Sequence, residues 1–350
     1  MHDDETTTKA NIPYLPDELV SEILPRLPTW RDIIDDDSFL RDHLRLQTSS
    51  LLVAPWLGEN DNDRPLASST GEMTVAGLYQ WDGKQQGVGT LLHAMSDYHS
   101  KKAALHRMAH CDGLVLLPTD NTAHVVNPAT RRTITLPPTL NRFQGPQAFG
   151  LGHDPRSNAY KVARFYMGVF TIGTDLCWRH TAAAPSQHHV MPRRTDGSLF
   201  WTVKERVLHA PGFVRFRLED ESFSIVPAPP CTMRFNYKSS NLTDLHGKLC
   251  VYLDDCSNPP HWDLCHVIPG PFKNRSYMPV IATAEAVVFQ FATYFLYKWD
   301  LQSPEFDFNE LIEMNRLRYH HLDTDTFVKY RGKNLADLYV IPYIPSLARI

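Results

Sequence analysis

"CDGLVLLPTDNTAHVVNPATRRTITLPP", residues 111–138, contains three short apolar runs separated by turn-forming residues. The runs "GLVLL", "HVVN" and "RTITL" are rich in branched side chains, which is typical of β-strands. Gly, Pro, Asn and Asp lie between the runs and favour turns. The stretch therefore predicts an antiparallel sheet whose strands follow one another through short connections.

The same pattern recurs along most of the chain, in "GLYQW", "KVARFYMGVFTI", "SLFWTV", "FVRFRL", "SFSIV" and "KLCVYL". Gly113, Gly197 and Gly247 open comparable strands at separations of 84 (197 − 113) and 50 (247 − 197) residues. These are near two and one repeats of about 40–50 residues per propeller blade. A β-sandwich needs only about 100 residues, whereas radial repetition leaves few exposed sheet edges. The pattern predicts a mainly β protein with a propeller-like antiparallel domain of about five or six blades.

The N-terminal region has a helical pattern instead. In "IPYLPDELVSEILPRLP", residues 12–28, apolar side chains recur at helical spacing. A second helical stretch starts at Trp30, and Asp37 or Ser38 is positioned to cap a new helix within it. Residues 58–72 are polar and rich in turn formers, which is typical of a linker. We therefore expect a disordered tail at 1–11, a short helical unit at 12–47, a linker at 48–72 and the β domain at 73–350.

The overall charge does not indicate a polyanionic partner. The 350 residues carry a formal net charge of −4, and the 35 Lys and Arg residues are spread along the chain. Neither nucleic acid nor a membrane is therefore an expected partner. The longest apolar run, "AVVFQFATYFLY" at 286–297, is too short to span a bilayer. The six cysteines lack the density of a disulfide scaffold, so we expect reduced thiols and a location in the cytoplasm or nucleus.

Two sets of motifs resemble plant F-box proteins, especially those of grasses. "LPDELVSEILPRLP" resembles the first helix of an F-box, and "WRDIIDDDSFLRDHL" resembles its last segment. Downstream, "VVNPATRR", "FGLGHDP", "YKVARF", "VFTIGTDLCWR" and "YVIPYIPSLARI" resemble the F-box-associated domain in their order and spacing. The resemblance implies a non-catalytic substrate-recognition subunit of an SCF-type (Skp–cullin–F-box) ubiquitin ligase. Its F-box would dock on a Skp-family adaptor, and through it on a cullin, while the β domain would bind the target protein.

The F-box-like segment is shorter than the family pattern. In the family a further helix separates the two segments, whereas here only Thr29 lies between Pro28 and Trp30. Roughly one average helix, about 11 residues, is therefore absent, which predicts a truncated F-box at 12–47. The resemblance implies adaptor contact at the positions that match the family: Leu15, Pro16, Leu19, Ile23, Leu24, Leu27, Pro28, Trp30, Ile33, Ile34, Phe39 and Leu44.

Two alternative functions remain open at this point. The shortened helical unit also suits a stand-alone protein-binding propeller that has lost ligase coupling, and a propeller hydrolase would need paired carboxylates that sequence alone does not reveal. The chain has no nucleophile-elbow motif. The Cys and His residues of 250–266 lack a CxxC pair, and "QGVGTLL" at 86–92 lacks the third glycine of a dinucleotide site. We therefore predict no catalytic residue, no metal and no cofactor.

Aromatic residues near the ends of predicted strands are candidates for a target-binding rim. Because alternating aromatic side chains fill sheets of this kind, we expect most of them to lie in the core and a minority to contact a target. The residues are Trp201, Phe213, Phe216, Phe235, Tyr237, Trp262 and Trp299.

Overall fold

In the computed structural model the chain divides into two compact units, Met1–Leu46 and Gln47–Ile350. The predicted tail, most of the F-box-like segment and the connection at Thr29 lie outside the residues that the structure describes. The described residues are 36–57, 73–75, 77–81, 88–95, 99–100, 108–119, 122–138, 149–164, 168–181, 189–195, 197–203, 212–227, 241–245, 248–252, 277–282, 285–291, 295–302, 311–314, 318–321, 325–328 and 335–350.

The described part of the first unit is one helix, α1 (Asp37–Leu46). The Asp36 carboxylate accepts hydrogen bonds from the backbone N–H groups of Ser38 (2.8 Å) and Phe39 (3.1 Å). These N–H groups belong to the second and third residues of the helix and have no partner within it. Asp36 is therefore the N-cap, and the prediction of Asp37 or Ser38 is wrong by one or two residues. No helix among the described residues is long and apolar enough to cross a membrane.

The described part of the second unit forms six sheets, in which β4 and β23 are the parallel pair. The first sheet begins with β1 (Ser50–Leu57), β2 (Met73–Val75), β3 (Gly77–Trp81), β4 (Val88–Ala94) and β5 (His99–Ser100). The second contains β6 (Ala109–Cys111), β7 (Leu114–Pro118), β8 (Ala123–Asn127) and β9 (Arg132–Thr135). The third contains β10 (Phe149–Asp154), β11 (Ala159–Arg164) and β12 (Gly168–Thr171).

The remaining strands complete the set. The fourth sheet contains β13 (His189–Thr195), β14 (Ser198–Val203), β15 (Gly212–Arg217) and β16 (Ser222–Pro227), and the fifth is the hairpin β17 (Asn241–Leu245) and β18 (Lys248–Tyr252). The sixth contains β19 (Tyr277–Ala282), β20 (Ala286–Phe291), β21 (Phe295–Asp300) and β22 (Leu311–Glu313). The last three strands, β23 (Arg318–His321), β24 (Thr326–Val328) and β25 (Leu335–Tyr343), return to the first sheet.

The six sheets follow one another in chain order around a closed ring. The first strands of the second to sixth sheets, β6, β10, β13, β17 and β19, contact one another in that sequence, and β25 contacts both β19 and β6. Within the described residues five sheets have three or more strands, and the fifth sheet is a two-stranded hairpin. This arrangement confirms the predicted mainly β, propeller-like fold and agrees with five or six blades.

Ring closure joins strands from opposite ends of the second unit. β25 pairs with β1 along its whole length, from Ser50 opposite Tyr343 to Leu57 opposite Leu335. β1 also pairs with β3 and β2. The predicted linker at 48–72 is therefore wrong for residues 50–57, because they form an interior strand of the first sheet. The rest of the predicted domain division stays a prediction.

β1 is buried on both faces. Leu51 and Val53 share a core cluster with Leu296 of the sixth sheet, whereas Leu52 shares a cluster with Val115 of the second sheet. Successive side chains of a strand point to opposite faces, so β1 packs against one neighbouring sheet with its odd-numbered residues and the other with its even-numbered residues. Further clusters join the second sheet to the third and the third to the fourth.

The turn between β6 and β7 contacts the segment that follows β25. Asp112 and Gly113 have φ angles of 48° and 81°, the combination found in two-residue type I′ turns. A Cβ at Gly113 would lie 2.4 Å from the backbone oxygen of Ile344, so glycine alone fits this position. Gly197, before β14, also has a positive φ of 62°, whereas Gly247 lies outside the described residues.

Asn127, at the end of β8, ties the C-terminal segment to the second sheet. Its amide nitrogen donates to the backbone oxygens of Ser346 (3.0 Å) and Ala348 (2.7 Å). Its amide oxygen accepts from the backbone N–H groups of Ala129 (3.1 Å) and Thr130 (3.2 Å). This fully buried side chain thus uses both donors and its acceptor, so the asparagine of the "VVNPATRR" motif has a structural role.

Candidate functional site

Two of the predicted adaptor-binding residues lie in α1. Phe39 has 36% of its surface accessible, Leu44 is half-buried, and the Phe39 ring lies 6.3 Å from the ring of His43. An exposed aromatic side chain on a helix suits insertion into a hydrophobic groove. The other ten predicted contacts lie outside the described residues and stay predictions: Leu15, Pro16, Leu19, Ile23, Leu24, Leu27, Pro28, Trp30, Ile33 and Ile34.

The aromatic residues considered for a target-binding rim are core residues wherever the structure describes them. Trp201, Phe213, Phe216 and Trp299 are at most 2% exposed. The rings of Trp201 and Phe216 pack edge to face at 6.3 Å. The interpretation as core is confirmed for these four residues. Phe235, Tyr237 and Trp262 lie outside the described residues.

A polar cluster lies between the third and fourth sheets. Its centre is Lys161 on β11, whose Nζ lies 2.9 Å from Asp154 Oδ2 and 2.9 Å from Glu221 Oε1. The same Nζ donates to the backbone oxygen of Leu218 at 2.8 Å. These bonds use all three donors of the ammonium group. Because Lys161 is 6% exposed and Asp154 is 1% exposed, this is a buried ion pair.

Arg179 extends the cluster to the protein surface. Its Nη1 and Nη2 donate to the two carboxylate oxygens of Glu221 at 2.7 and 2.8 Å. Its Nε donates to Asp175 Oδ2 at 2.8 Å, and Nη2 donates to Thr171 Oγ1 at 2.9 Å. Glu221, in the β15–β16 turn, thus bridges Lys161 and Arg179. We refer to Asp154, Lys161, Asp175, Arg179 and Glu221 as the interblade cluster.

The interblade cluster keeps its carboxyl groups ionised. Burial by itself would raise the pKa of Asp154, but hydrogen bonds, first from Ser157 and then from Lys161, lower it to about 2. Hydrogen bonds from Arg179 lower the pKa of Glu221 despite its partial burial. A general acid near neutral pH needs a carboxyl group that retains its proton. The cluster is therefore built for cohesion between sheets rather than for proton transfer.

The cluster also anchors the loop that follows β12. The backbone of Arg179 pairs with Val169 in an antiparallel bridge, and the Trp178 indole N–H donates to the backbone oxygen of Pro137 at 2.8 Å. Between the anchored residues, Leu176 is 94% exposed. A loop that is already ordered loses little conformational entropy on binding. Residues 172–181 therefore form a pre-organised surface loop with an apolar tip.

Sequence patterns alone do not indicate the interblade cluster. The sequence feature that could have indicated the cluster is Lys161, a charged residue inside the apolar run "YKVARF". A charged residue inside a buried strand requires a partner, but Glu221 lies 60 residues further along the chain. The pairing could therefore not be read from local spacing.

The described residues contain no group of three or more His, Cys, Asp or Glu arranged to hold a metal ion. Cys111 is buried, Cys177 is exposed and Cys250 is half-buried, and none of the three forms a disulfide. Cys250 is the one described member of the cysteines and histidines considered for zinc at 250–266. The predicted absence of a metal there stays a prediction.

A ring of sheets closed by β1 and β25 defines the chain as a β-propeller protein. A family model described as "F-box associated beta propeller domain" matches residues 68–265, which is more than half of the chain. The chain belongs to this family. The match confirms the resemblance to plant F-box proteins with an F-box-associated domain that the motifs indicated.

Relatives from Arabidopsis thaliana agree with this assignment. A protein whose name describes it as an F-box protein is 26% identical over 270 residues, covering 68% of this chain and 70% of its own length. An F-box/LRR-repeat protein is 24% identical over 282 residues, covering 69% of this chain and 61% of its own length. A further F-box protein is 23% identical over 291 residues, covering 68% of this chain and 65% of its own length.

A distant similarity to a solved structure was also found. Apo AztD from Citrobacter koseri is 9% identical with a TM-score of 0.39, covering 85% of this chain and 99% of that chain. A score at this level supports no conclusion about the function of this protein.

Proposed function

We propose that this protein is the substrate-recognition subunit of an SCF-type ubiquitin ligase. Its F-box segment docks on a Skp-family adaptor and through it on a cullin, while the propeller binds the protein to be ubiquitinated. The subunit is non-catalytic and acts in the cytoplasm or nucleus. The observation that carries the proposal is the match of residues 68–265 to the F-box associated propeller family, together with the F-box motif upstream of it.

The physical requirements of such a receptor support the proposal. The segment upstream of the propeller supplies apolar residues at helical spacing, of which Phe39 on α1 is exposed, and such residues bind a hydrophobic groove. The ring closure by β1 and β25 and the interblade cluster make the propeller a rigid carrier. The loop at 172–181 presents Leu176 to solvent. We assign target contact to this loop, because an exposed apolar side chain on an ordered loop is suited to act as an anchor.

Adaptor binding tests the proposal directly. We expect the purified full chain to bind a purified Skp-family adaptor, and Leu19→Asp and Ile23→Asp to weaken binding at least about 30-fold, since a central interface side chain contributes about 2 kcal/mol or more. Ile225→Asp is the matched control, because Ile225 is an exposed propeller residue on β16. Binding that both F-box variants retain in full would show that this segment is not the docking element.

The second candidate is a stand-alone protein-binding propeller that has lost ligase coupling. Thr29 as the sole residue between Pro28 and Trp30 favours it, because helices in contact normally need about 2–8 connecting residues. Failure of the wild-type chain to bind the adaptor would select this function. The interblade cluster does not support the hydrolase alternative, because the carboxylates of the cluster are paired with Lys161 and Arg179.

A further inference from the structure

Arg164, the last residue of β11, is a buried cation without a hydrogen-bonded partner among the described residues. It is 3% exposed, and its Nη1 atom is buried without a hydrogen-bond partner. Its recorded contact is with an aromatic ring: the guanidinium carbon lies 5.6 Å from the centre of Phe149. Buried charged groups in proteins are normally paired, so this side chain requires an explanation.

The strand register explains why the third sheet supplies no acceptor. Arg164 lies opposite Phe149 on β10 and opposite Gly168 on β12. Phenylalanine and glycine have no side-chain oxygen, and Val162, the next residue on the same face of β11, is apolar as well. A Cβ at Gly168 would lie 2.2 Å from the backbone oxygen of Arg179, so a longer acceptor does not fit there. The neighbouring positions therefore leave the donors of Arg164 unused.

The fourth sheet contains the same arrangement with an acceptor present. Arg215 lies opposite Phe200, and its guanidinium carbon is 5.8 Å from the centre of that ring. In contrast to Arg164, its Nε donates to Ser198 Oγ at 3.0 Å. The two arginine–phenylalanine pairs thus share the cross-strand register and a similar ring distance, but Arg215 is half-buried with an acceptor, whereas Arg164 is buried without one among the described residues. The comparison indicates that such an arginine takes an oxygen acceptor, which the described residues do not supply to Arg164.

Burial without a partner works against the charge of Arg164. Desolvation lowers the pKa of the guanidinium to about 10, so the group remains a cation near neutral pH. Its planar fork of donors matches the two oxygens of a carboxylate or phosphate. Arg164 also lies at the end of its strand, beside the first residues of β10 and β12.

We propose that Arg164 is an anion-binding residue that takes one carboxylate or phosphate group at the end of the third sheet, with Phe149 covering one face of the guanidinium. The site uses no side chain of the interblade cluster. It gives the propeller a binding function for an acidic group in addition to its proposed contact with a target.

Thermal unfolding of the full chain tests the site. In chloride buffer, Arg164→Met should unfold at the same temperature as the wild type or higher, because it removes an uncompensated buried charge. Replacing chloride by inorganic phosphate or acetate at equal ionic strength should raise the wild-type Tm by roughly 2 °C or more beyond the rise seen in Arg164→Met, which reports the general salt effect. Arg215→Met is the matched control, which should lower the Tm in chloride and keep the response to the oxyanion.

The Tm responses of the wild type and of Arg164→Met decide whether Arg164 binds an anion. An equal response of the wild type and Arg164→Met to both oxyanions would overturn the proposal, as would a response to neither. An Arg164→Met variant that unfolds at a lower temperature than the wild type in chloride, or fails to fold, would also overturn it, because the guanidinium would then have a structural partner. A wild-type response to O-phosphoserine as well as to inorganic phosphate would assign the group to a side chain of a bound protein, and a response to inorganic phosphate alone would assign it to a free anion.

Discussion

Lys161 lies in the middle of an apolar strand and connects two sheets through its charge. Its ammonium group contacts Asp154 on its own sheet and Glu221 on the next, with both distances at 2.9 Å. Removing one partner of a buried ion pair is costly because the other charge remains buried and unpaired. Loss of the Lys161 side chain should therefore destabilise the protein through the unpaired carboxylates that remain.

We predict that Lys161→Met lowers the free energy of unfolding by about 3–5 kcal/mol, measured as a shift in the urea midpoint. The matched control is Arg156→Met, because Arg156 pairs with Glu219 at 3.5 Å with its side chain 70% exposed. Exposed pairs of this kind contribute less than about 1 kcal/mol. Equal losses in the two variants would show that the buried position of Lys161 has no special importance.

Asp154 predicts an acid limit to stability. Its pKa in the folded protein is about 2, below its ordinary value of 3.8, so the folded state binds this proton less tightly than the unfolded state does. The stabilisation is complete above about pH 4 to 5 and is lost as the pH falls towards 2. Urea midpoints measured from pH 6 to pH 2 should decline less steeply in Asp154→Asn than in the wild type. Parallel declines would contradict this origin of the acid sensitivity.

At the scale of the element, the β6–β7 turn shows how one residue controls a longer segment. Gly113 has a positive φ, and a Cβ placed on it would lie 2.4 Å from the backbone oxygen of Ile344 and 2.5 Å from the side chain of Ser346. Gly173 has nearly the same φ, 78°, with no atom within 4 Å of a Cβ placed on it. Alanine at Gly173 would therefore suffer backbone strain alone, whereas alanine at Gly113 would also overlap with the C-terminal segment.

We predict that Gly173→Ala costs about 1–2 kcal/mol through backbone strain alone, and that Gly113→Ala costs about 1–3 kcal/mol more because the C-terminal segment must move. Chemical denaturation of both variants measures the difference. If the two substitutions cost the same, then the C-terminal segment does not depend on the turn.

The sequence patterns predicted many strands but missed β1, whose residues were assigned to the linker at 48–72, and the reason is physical. Runs such as "GLYQW" and "SLFWTV" are bounded by turn formers and correspond to β3 and β14. "SLLVAPWL" has no alternation because both faces of β1 are buried, and its partner β25 begins at Leu335, far along the chain. Local patterns cannot reveal that pairing. The same limit concealed the contact between Lys161 and Glu221.

For the whole molecule, the β1–β25 pairing holds the ring closed. Val53 and Val340 lie directly opposite each other and are both buried. A disulfide between them would close a loop of 287 residues (340 − 53). We predict that Val53→Cys with Val340→Cys forms this disulfide, and that its oxidised form is more stable to urea than its reduced form by about 2–4 kcal/mol. The reduced form of the same variant is the control, and failure to form the bond would contradict the register.

Ring closure also imposes a delay during protein synthesis, because β1 is made long before β25. β1 leaves the ribosome early, but its full-length partner ends at Tyr343, 286 residues (343 − 57) after the end of β1. At about 5–20 residues per second, this interval lasts about 14–57 s. During that time β1 has no β25 strand to pair with, while the F-box segment upstream has already emerged. The F-box segment is therefore available for the proposed adaptor contact before the propeller is complete.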